Sequence, residues 1–185
     1  MQRRDNFAHL ILAGVVVLVL AQLMVYLDAH AQIVFISRRD GNREIYVMDA
    51  DGRNQLNLTN NRSNDWSPSW SPDGKRIVFT VSDENGTEIY VMDADGRNQL
   101  NLTNNRSNDR WSSWSPNGKR IAFASDRDRP PDFDIYVMDA DGGNPQNLTN
   151  NPQLEGHPAW FGPTFAIAPV RETLTIWGRL KQANR

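Results

Sequence analysis

Acidic residues recur in the sequence in a pattern that calcium sites share. The segment Asp49-Ala50-Asp51-Gly52 returns at residues 93–96 and 139–142, and Asp-x-Asp-Gly is the middle of an EF-hand calcium loop. With Asp49 and Asp51 at loop positions 3 and 5, the ligand positions 1 and 12 fall on Val47 and Leu58, which cannot bind calcium. The other two copies fail in the same way. We therefore predict a turn between strands, with glycine supplying a positive φ, and no metal site.

Catalytic patterns are absent from the sequence. It contains no cysteine and, after residue 31, a single histidine, His157, which precedes Pro158 in a turn-like segment. No nucleophile elbow, zinc-binding helix or phosphate-binding loop is found. A net charge of −2 argues against nucleic acid as a partner. The sequence therefore predicts a protein that is not an enzyme, has no catalytic residues and needs no cofactor.

A few aromatic and basic residues are the candidates for binding. Arg110 occupies the repeat position that Trp66 holds in the preceding copy, and Trp111 follows it. These residues lie just before the predicted inner strands, where aromatic side chains could stack on a sugar or a peptide. Arg62 and Arg106 are nearby in sequence as polar contacts. The alternative is that the two tryptophans only pack against the edges of loops.

A period of 44 residues organises the chain. Phe35, Phe79 and Phe123 are each 44 apart, whereas Trp70 and Trp114 are 44 apart and Trp160 follows after 46. We assign the two extra residues to a longer loop from Asp126 to Asp134. A period near 44 is typical of the four-stranded blade of a β-propeller.

Each segment of the period has the composition of a strand or a turn. Arg76–Val81 is β-branched and aromatic, and Glu88–Asp93 is apolar on both alternating faces, so it must be covered on both sides. Leu100–Thr103 alternates as an outer strand does, and Pro68–Ser71 is predicted as a short inner strand. The sequences Ser-Pro-Asp-Gly, Ser-Pro-Asn-Gly and Asp-Ala-Asp-Gly predict the turns.

The strand order predicts an all-β fold with about three four-stranded blades in an incomplete propeller. Three strands (Ile33 to Thr59) come first, two full blades follow, and an inner strand at Pro158-Ala159-Trp160 ends the series. Closed propellers typically need 4–8 blades. Three explanations remain open: a homodimer in which the last strand of one chain completes the first blade of the other, an open array, and a truncated relic of a longer protein.

The N-terminus predicts export. Arg3 and Arg4 precede an apolar run from Leu10 to Leu27, and Ala29-His30-Ala31 resembles a cleavage site. We interpret residues 1–31 as a signal peptide, or as a membrane anchor if they are retained. Residues 32–168 then form the propeller repeats. Residues 169–185 form a tail, in which Leu174 and Trp177 suggest a short helix.

The repeat resembles a known family. Trp70-Ser-Pro-Asp-Gly-Lys-Arg-Ile-Val-Phe79 followed by Glu88-Ile-Tyr-Val-Met-Asp-Ala-Asp-Gly96 is similar to the TolB-type, WD40-like β-propeller repeat, and Trp114–Phe123 with Asp134–Gly142 repeats the match. The resemblance implies a periplasmic or extracellular scaffold that binds a protein partner at the cell envelope, such as a peptidoglycan-associated lipoprotein. Related repeats form the gating propeller of prolyl-oligopeptidase-type peptidases, so an accessory module for such an enzyme is the competing interpretation.

Overall fold

The computed structural model describes residues 31–162, which form three antiparallel sheets, called blades 1 to 3 here. Blade 1 contains β1 (Gln32–Ser37), β2 (Glu44–Asp49) and β3 (Leu56–Asn57). Blade 2 contains β4 (Asn64–Trp70), β5 (Arg76–Asp83), β6 (Gly86–Asp93) and β7 (Leu100–Asn101). Blade 3 contains β8 (Asp109–Trp114), β9 (Arg120–Arg129), β10 (Asp132–Asp139) and β11 (Gln146–Asn147). Within residues 31–162 no helix is long and apolar enough to cross a membrane.

The predicted blade organisation is confirmed. In each sheet the strands lie side by side in chain order, so every connection within a blade is local. Blade 1 has three strands, and blades 2 and 3 have four each. The predicted N-terminal helix, the signal or anchor within residues 1–30 and the tail at 169–185 lie outside the described residues, as does the end of the predicted propeller domain at 163–168.

The Asp-Ala-Asp-Gly segments are turns, as predicted. In the first copy the Gly52 amide donates to the Asp49 carbonyl at 2.9 Å, and Gly52 has a φ of 83°. The Asp49 side chain accepts from the Asn54 amide group at 2.6 Å, and the Asp51 side chain accepts from the Arg53 amide at 2.9 Å. Both carboxylates therefore hold the turn closed by bonding to neighbouring groups in the chain.

Packing between blades explains why the β6 strand is apolar on both faces. Met92 and Tyr90 pack toward blade 1, whereas Ile89 and Val91 pack toward blade 3. The cluster between blades 1 and 2 consists of Ile45, Val47, Leu58, Ile77, Phe79, Val81 and Met92. The cluster between blades 2 and 3 consists of Val78, Ile89, Val91, Leu102, Trp114, Ile121, Phe123, Tyr136 and Met138. The repeated Phe and Tyr side chains thus stabilise the stacking of one blade on the next.

The inner and outer strands differ from the predicted bounds. The inner strand β4 begins at Asn64, four residues before the predicted Pro68, because a bulge between Trp66 and Ser69 lets the chain pair with β5 on both sides of it. The outer strand β7 ends at Asn101 and not at Thr103, because the Asn101 side chain accepts from the Thr103 amide at 3.0 Å and turns the chain.

The prediction of a loop from Asp126 to Asp134 is wrong, because most of this segment belongs to two strands. The strands β9 and β10 extend through most of it and leave only Pro130 and Pro131 between them. The two extra residues of this repeat therefore lengthen a hairpin, since the strand residues around them still find cross-strand partners such as Asp132 opposite Arg129.

The predicted inner strand at Pro158-Ala159-Trp160 is not part of a sheet. The segment is nevertheless fixed against blade 3, because the Glu155 amide donates to the Phe133 carbonyl at 2.8 Å and the Trp160 indole N–H donates to the Ser113 carbonyl at 3.1 Å. No second strand lies beside it among residues 31–162, so it has no ladder partner there and is not a β-strand by hydrogen bonding.

Candidate functional site

The predicted binding residues lie at one end of the blades. Because the strands are antiparallel, the start of β4, the hairpin between β5 and β6, and the residues after β7 all meet at the same end. We call this the arginine end. Trp66 and Arg110 hold equivalent positions on the neighbouring inner strands β4 and β8, so the stacking of blades brings them together.

Arg110 lies between two aromatic rings. Its guanidinium carbon is 5.9 Å from the centroid of the Trp66 ring and 5.0 Å from that of Phe133. Both distances are within the range of cation–π attraction. The Arg110 Nε is buried and has no hydrogen-bond acceptor among residues 31–162. The two rings therefore fix the side chain, and its Nε is closed off from solvent.

Trp111 has a packing role in this cluster. Its ring stacks on His157 at 4.2 Å between centroids and lies 5.8 Å from Phe133. Ser67 on β4, Trp111 on β8 and His157 in the segment after β11 hold equivalent repeat positions, and all three have a positive φ. The contacts agree with the alternative that Trp111 packs against loops, and they also give His157 a structural environment.

Arg62 and Arg106 are exposed, and neither makes a hydrogen bond or an ion pair to another residue of the described part. They follow Asn61 and Asn105 on the connections into the inner strands, so they belong to the arginine end. The structure thus brings Trp66, Arg110 and Trp111 into one cluster and leaves Arg62 and Arg106 outside it. Their role in binding stays a prediction.

Sequence reasoning missed a buried carboxylate at each junction where one blade passes to the next. In the first junction, Glu44 accepts a hydrogen bond from the Thr59 hydroxyl and another from the Asn61 amide at 3.0 Å. The Asn61 side chain in turn donates to Asp65 of the next inner strand at 2.7 Å. The equivalent residues of the second junction are Glu88, Thr103, Asn105 and Asp109, and those of the third are Asp134, Thr149, Asn151 and Glu155.

These junctions differ in charge. Arg127 lies 3.2 Å from the fully buried Asp109, and Arg129 lies 3.2 Å from the buried Asp134. Asp65 is also fully buried, but the repeat position of Arg127 is Asp83 in blade 2. One oxygen of Asp65 consequently has no donor among the described residues, and burial raises the pKa of its carboxyl to about 6. Burial also raises the pKa of Glu88.

The carboxylates link the end of one blade to the inner strand of the next. Each one accepts hydrogen bonds from the chain around it, and within residues 31–162 no group of three or more acidic, histidine or cysteine side chains could hold a metal ion. The signal that could have revealed them was in the sequence, since a carboxylate returns at the same two repeat positions in all three copies. In a sequence rich in acidic turns that signal was not distinctive.

A groove of about 1100 Å³ lies at the opposite end of the inner strands. The Ser-Pro-Asp-Gly and Ser-Pro-Asn-Gly turns line it together with Arg76, Lys119, Trp160 and Phe161. The Arg76 guanidinium lies 4.7 Å from the centroid of the Trp114 ring. No sequence pattern had indicated this groove.

Stacked antiparallel blades joined through repeated junctions define a β-propeller repeat protein. The family model described as "TolB beta propeller domain" matches residues 28–88 and 71–173. The chain therefore belongs to the TolB β-propeller family, and the resemblance on which the sequence prediction rested is confirmed.

Curated relatives match a part of the chain. The chain is 51% identical over 49 residues to a TolB homolog of Chlorobaculum tepidum, which covers 26% of this chain and 11% of that protein. It is 48% identical over 46 residues to the Tol-Pal system protein TolB of Geobacter sulfurreducens, covering 25% and 11% respectively. The matched regions thus span about a tenth of these relatives.

Solved structures support the same fold. A candidate TolB from Agrobacterium tumefaciens superposes with a TM-score of 0.57 and 30% identity, covering 63% of this chain and 44% of that one. TolB from Acinetobacter baumannii gives a TM-score of 0.56 and 29% identity, covering 66% and 30%.

Proposed function

We propose that this chain is an exported, non-catalytic propeller scaffold that binds a protein partner at the cell envelope. Membership of the TolB β-propeller family supports the scaffold, and several relatives are named as Tol-Pal system proteins, which supports an envelope partner. Residues 1–31 would direct export to the periplasm or beyond, and residues 10–27 would contact the membrane if the segment is retained.

The observation that carries this proposal is the environment of Arg110. The Arg110 guanidinium is half-buried and fixed between Trp66 and Phe133, and it donates no hydrogen bond to another described residue, so its terminal N–H groups would be free to donate to a partner's carboxylate or carbonyl. Arginine and tryptophan are also the residues that most often dominate binding energy at protein interfaces. The exposed Arg62 and Arg106 at the same end would add attraction for an acidic segment.

The proposal is tested by titrating the full chain with the soluble domain of a peptidoglycan-associated lipoprotein from the same organism. We expect saturable binding that Arg110→Ala weakens by at least tenfold while the melting temperature stays close to that of the unsubstituted chain. Lys119→Ala is the matched control, because Lys119 is an exposed basic residue at the opposite end of the inner strands. Equal loss in both variants, or no binding at all, contradicts the proposal.

A further inference from the structure

We propose that two copies of this chain complete each other, with residues 155–160 of one copy serving as the inner strand of blade 1 of the other. Each copy would donate one such strand and accept one, so that two sets of three blades close into a ring of six. The proposal does not depend on the partner proposed above, since it concerns only contacts between copies of the chain.

Residues 155–160 already lie on blade 3 as an inner strand lies on the blade before it. The Glu155 amide bonds to the Phe133 carbonyl at 2.8 Å, as the Asp65 amide bonds to the Arg43 carbonyl at 2.8 Å. Asn151 donates to Glu155 as Asn61 donates to Asp65. With the positive φ of His157 at the bulge, the segment has the position of an inner strand and lacks only a strand beside it.

Blade 1 lacks the complementary element. Its first strand, β1, has no neighbour on one edge among residues 31–162, whereas β5 and β9 pair there with β4 and β8. Ile33 is 42% exposed, although its repeat equivalents Ile77 and Ile121 are fully buried. Ile36 is 43% exposed, although Thr80 and Ala124 at its position are fully buried. The strand β1 thus has the apolar residues of a strand that is buried by a neighbouring strand, but these residues are exposed.

The glycine turns of blades 2 and 3 each pack on a leucine of the preceding blade, and at either end of the described region one partner of this contact lies without the other. A Cβ atom at Gly96 would lie 2.7 Å from the Leu58 carbonyl oxygen, because the turn of blade 2 packs directly on the end of blade 1. Gly142 lies equally close to Leu102. Leu148, the next residue of this series, is 60% exposed, whereas Leu58 and Leu102 are each 8% exposed. Gly52, the first glycine of the series, has no atom within 4 Å of its Cβ position.

Charge complementarity gives a further match. Arg39 is the repeat equivalent of Arg127, and the two stack alike, with Arg39 4.5 Å from the Tyr46 ring centroid and Arg127 4.6 Å from that of Tyr136. Arg127 pairs with the carboxylate at the start of its own inner strand, Asp109, at 3.2 Å. The equivalent carboxylate for Arg39 is Glu155, which would come from the second copy.

The pairing register follows from blades 2 and 3. Ser113 lies opposite Ala122 and Trp114 opposite Ile121 in blade 3, so Ala159 of one copy should lie opposite Val34 of the other, and Trp160 opposite Ile33. A twofold axis makes the two new junctions identical, and a closed symmetric dimer is the commonest form of oligomer. A second copy would therefore cover the open edge of β1 and would give residues 155–160 a strand to pair with.

The absence of cysteine from the chain permits a direct test. We would mix purified full-length Val34→Cys protein with purified full-length Ala159→Cys protein and oxidise the mixture. A disulfide needs two Cα atoms within about 7 Å, so we expect a mixed disulfide between the two proteins and none in either protein alone. Ser37→Cys mixed with Ala159→Cys is the control for register, because Ser37 would lie opposite Glu155 and not Ala159.

Three outcomes would overturn the proposal: no mixed disulfide, equal cross-linking in the register control, or cross-linking of the Ala159→Cys protein with itself. Light scattering on the unsubstituted chain keeps the test valid if a cysteine variant fails to fold, since the mass of a single chain at all concentrations also rejects the dimer. Charge exchange adds a positive check. Glu155→Arg should weaken the dimer at least tenfold, and Arg39→Glu in the same chain should restore most of the loss.

Discussion

The Arg127 guanidinium lies 3.2 Å from the Asp109 carboxylate, which is completely buried between blades 2 and 3. The preceding junction holds the equivalent carboxylate, Asp65, equally buried but without an arginine, because Asp83 stands at the corresponding position. Two copies of one repeat therefore place the same acid in opposite electrostatic environments. Differences between copies, more than the repeat itself, determine how the junctions respond to mutation and to pH.

Removing Arg127 should destabilise the protein strongly. Arg127→Met leaves the Asp109 carboxylate buried with only the Asn105 side chain as a donor at 2.6 Å, and breaking one partner of a buried pair costs about 3 kcal/mol. Urea denaturation of the full chain measures the change. Arg97→Met is the matched control, because Arg97 and its partner Asp95 are both exposed, and it should change the free energy of unfolding by less than about 0.5 kcal/mol. Equal effects of the two substitutions would contradict the prediction.

Asp65 should make the protein less stable as the pH rises. Its folded pKa of about 6 lies above its ordinary value of 3.8, so the folded state binds the proton more tightly than the unfolded state between these values. The stabilisation is complete below pH 4 and is lost as the pH rises through 6, by at most about 3 kcal/mol. Asp65→Asn should remove most of this slope in denaturation curves measured from pH 4 to 7.

The Glu88 carboxyl should add a second, separate contribution to the pH dependence of stability. Burial raises its pKa as well, so a smaller slope of the same sign should persist in the Asp65→Asn variant. Asp109→Asn should behave differently, because it removes the partner of Arg127, and should destabilise the protein at neutral pH. A pH slope that Asp65→Asn leaves unchanged would show that Asp65 is not the group responsible.

Gly96 should tolerate no side chain, because a Cβ atom there would overlap with the Leu58 carbonyl oxygen in addition to requiring a positive φ. Alanine at a positive φ costs about 1 kcal/mol wherever it occurs, and Gly74 with a φ of 68° and no atom within 4 Å should show that cost alone. Gly96→Ala adds the overlap with the Leu58 carbonyl oxygen and should cost at least about 2 kcal/mol more. Thermal unfolding of the two variants compares them, and similar melting temperatures would argue against direct packing of blade 2 on blade 1.

Gly156→Ala should displace residues 155–160 from blade 3. A Cβ atom at this position would lie 2.6 Å from the Trp111 ring, which is itself fixed between Phe133 and His157. Trp160 would then lose its hydrogen bond to Ser113, and its fluorescence emission should shift to longer wavelength as its exposure to water increases. Limited proteolysis should cleave the Gly156→Ala protein within residues 150–160, whereas Trp66→Phe, which leaves this segment in place, is the control and should not be cleaved there. Cleavage of both variants, or of neither, would contradict the prediction.

The blades were predictable because their determinants are local and repeated. The β-branched and aromatic composition of Arg76–Val81 and the Ser-Pro-Asp-Gly turn define strand and turn from a few neighbouring residues. The buried junctions were hard to predict, because the carboxylates that recur at the Glu44 and Asp65 positions look in sequence like the carboxylates that recur in the turns. Their burial results from stacking between blades.

The candidate site was predictable in part. Trp66 and Arg110 stood out because they break the repeat, and the structure brings them together. Phe133 was not predicted, since its repeat equivalents are Arg43 and Thr87 and the repeat therefore gives no reason to expect an aromatic ring beside Arg110. The positive φ shared by Ser67, Trp111 and His157 could not be predicted either, because three unlike residues hold that repeat position.

If two copies of the chain complete each other, the two blade faces at the ends of the described region meet the same kind of opposing face as the faces between them. Light scattering on the purified full chain over a range of concentrations measures whether they do. We expect a mass twice that of one chain, shifted toward the single-chain value by Glu155→Arg. A mass of one chain for the unsubstituted protein at every concentration would contradict it.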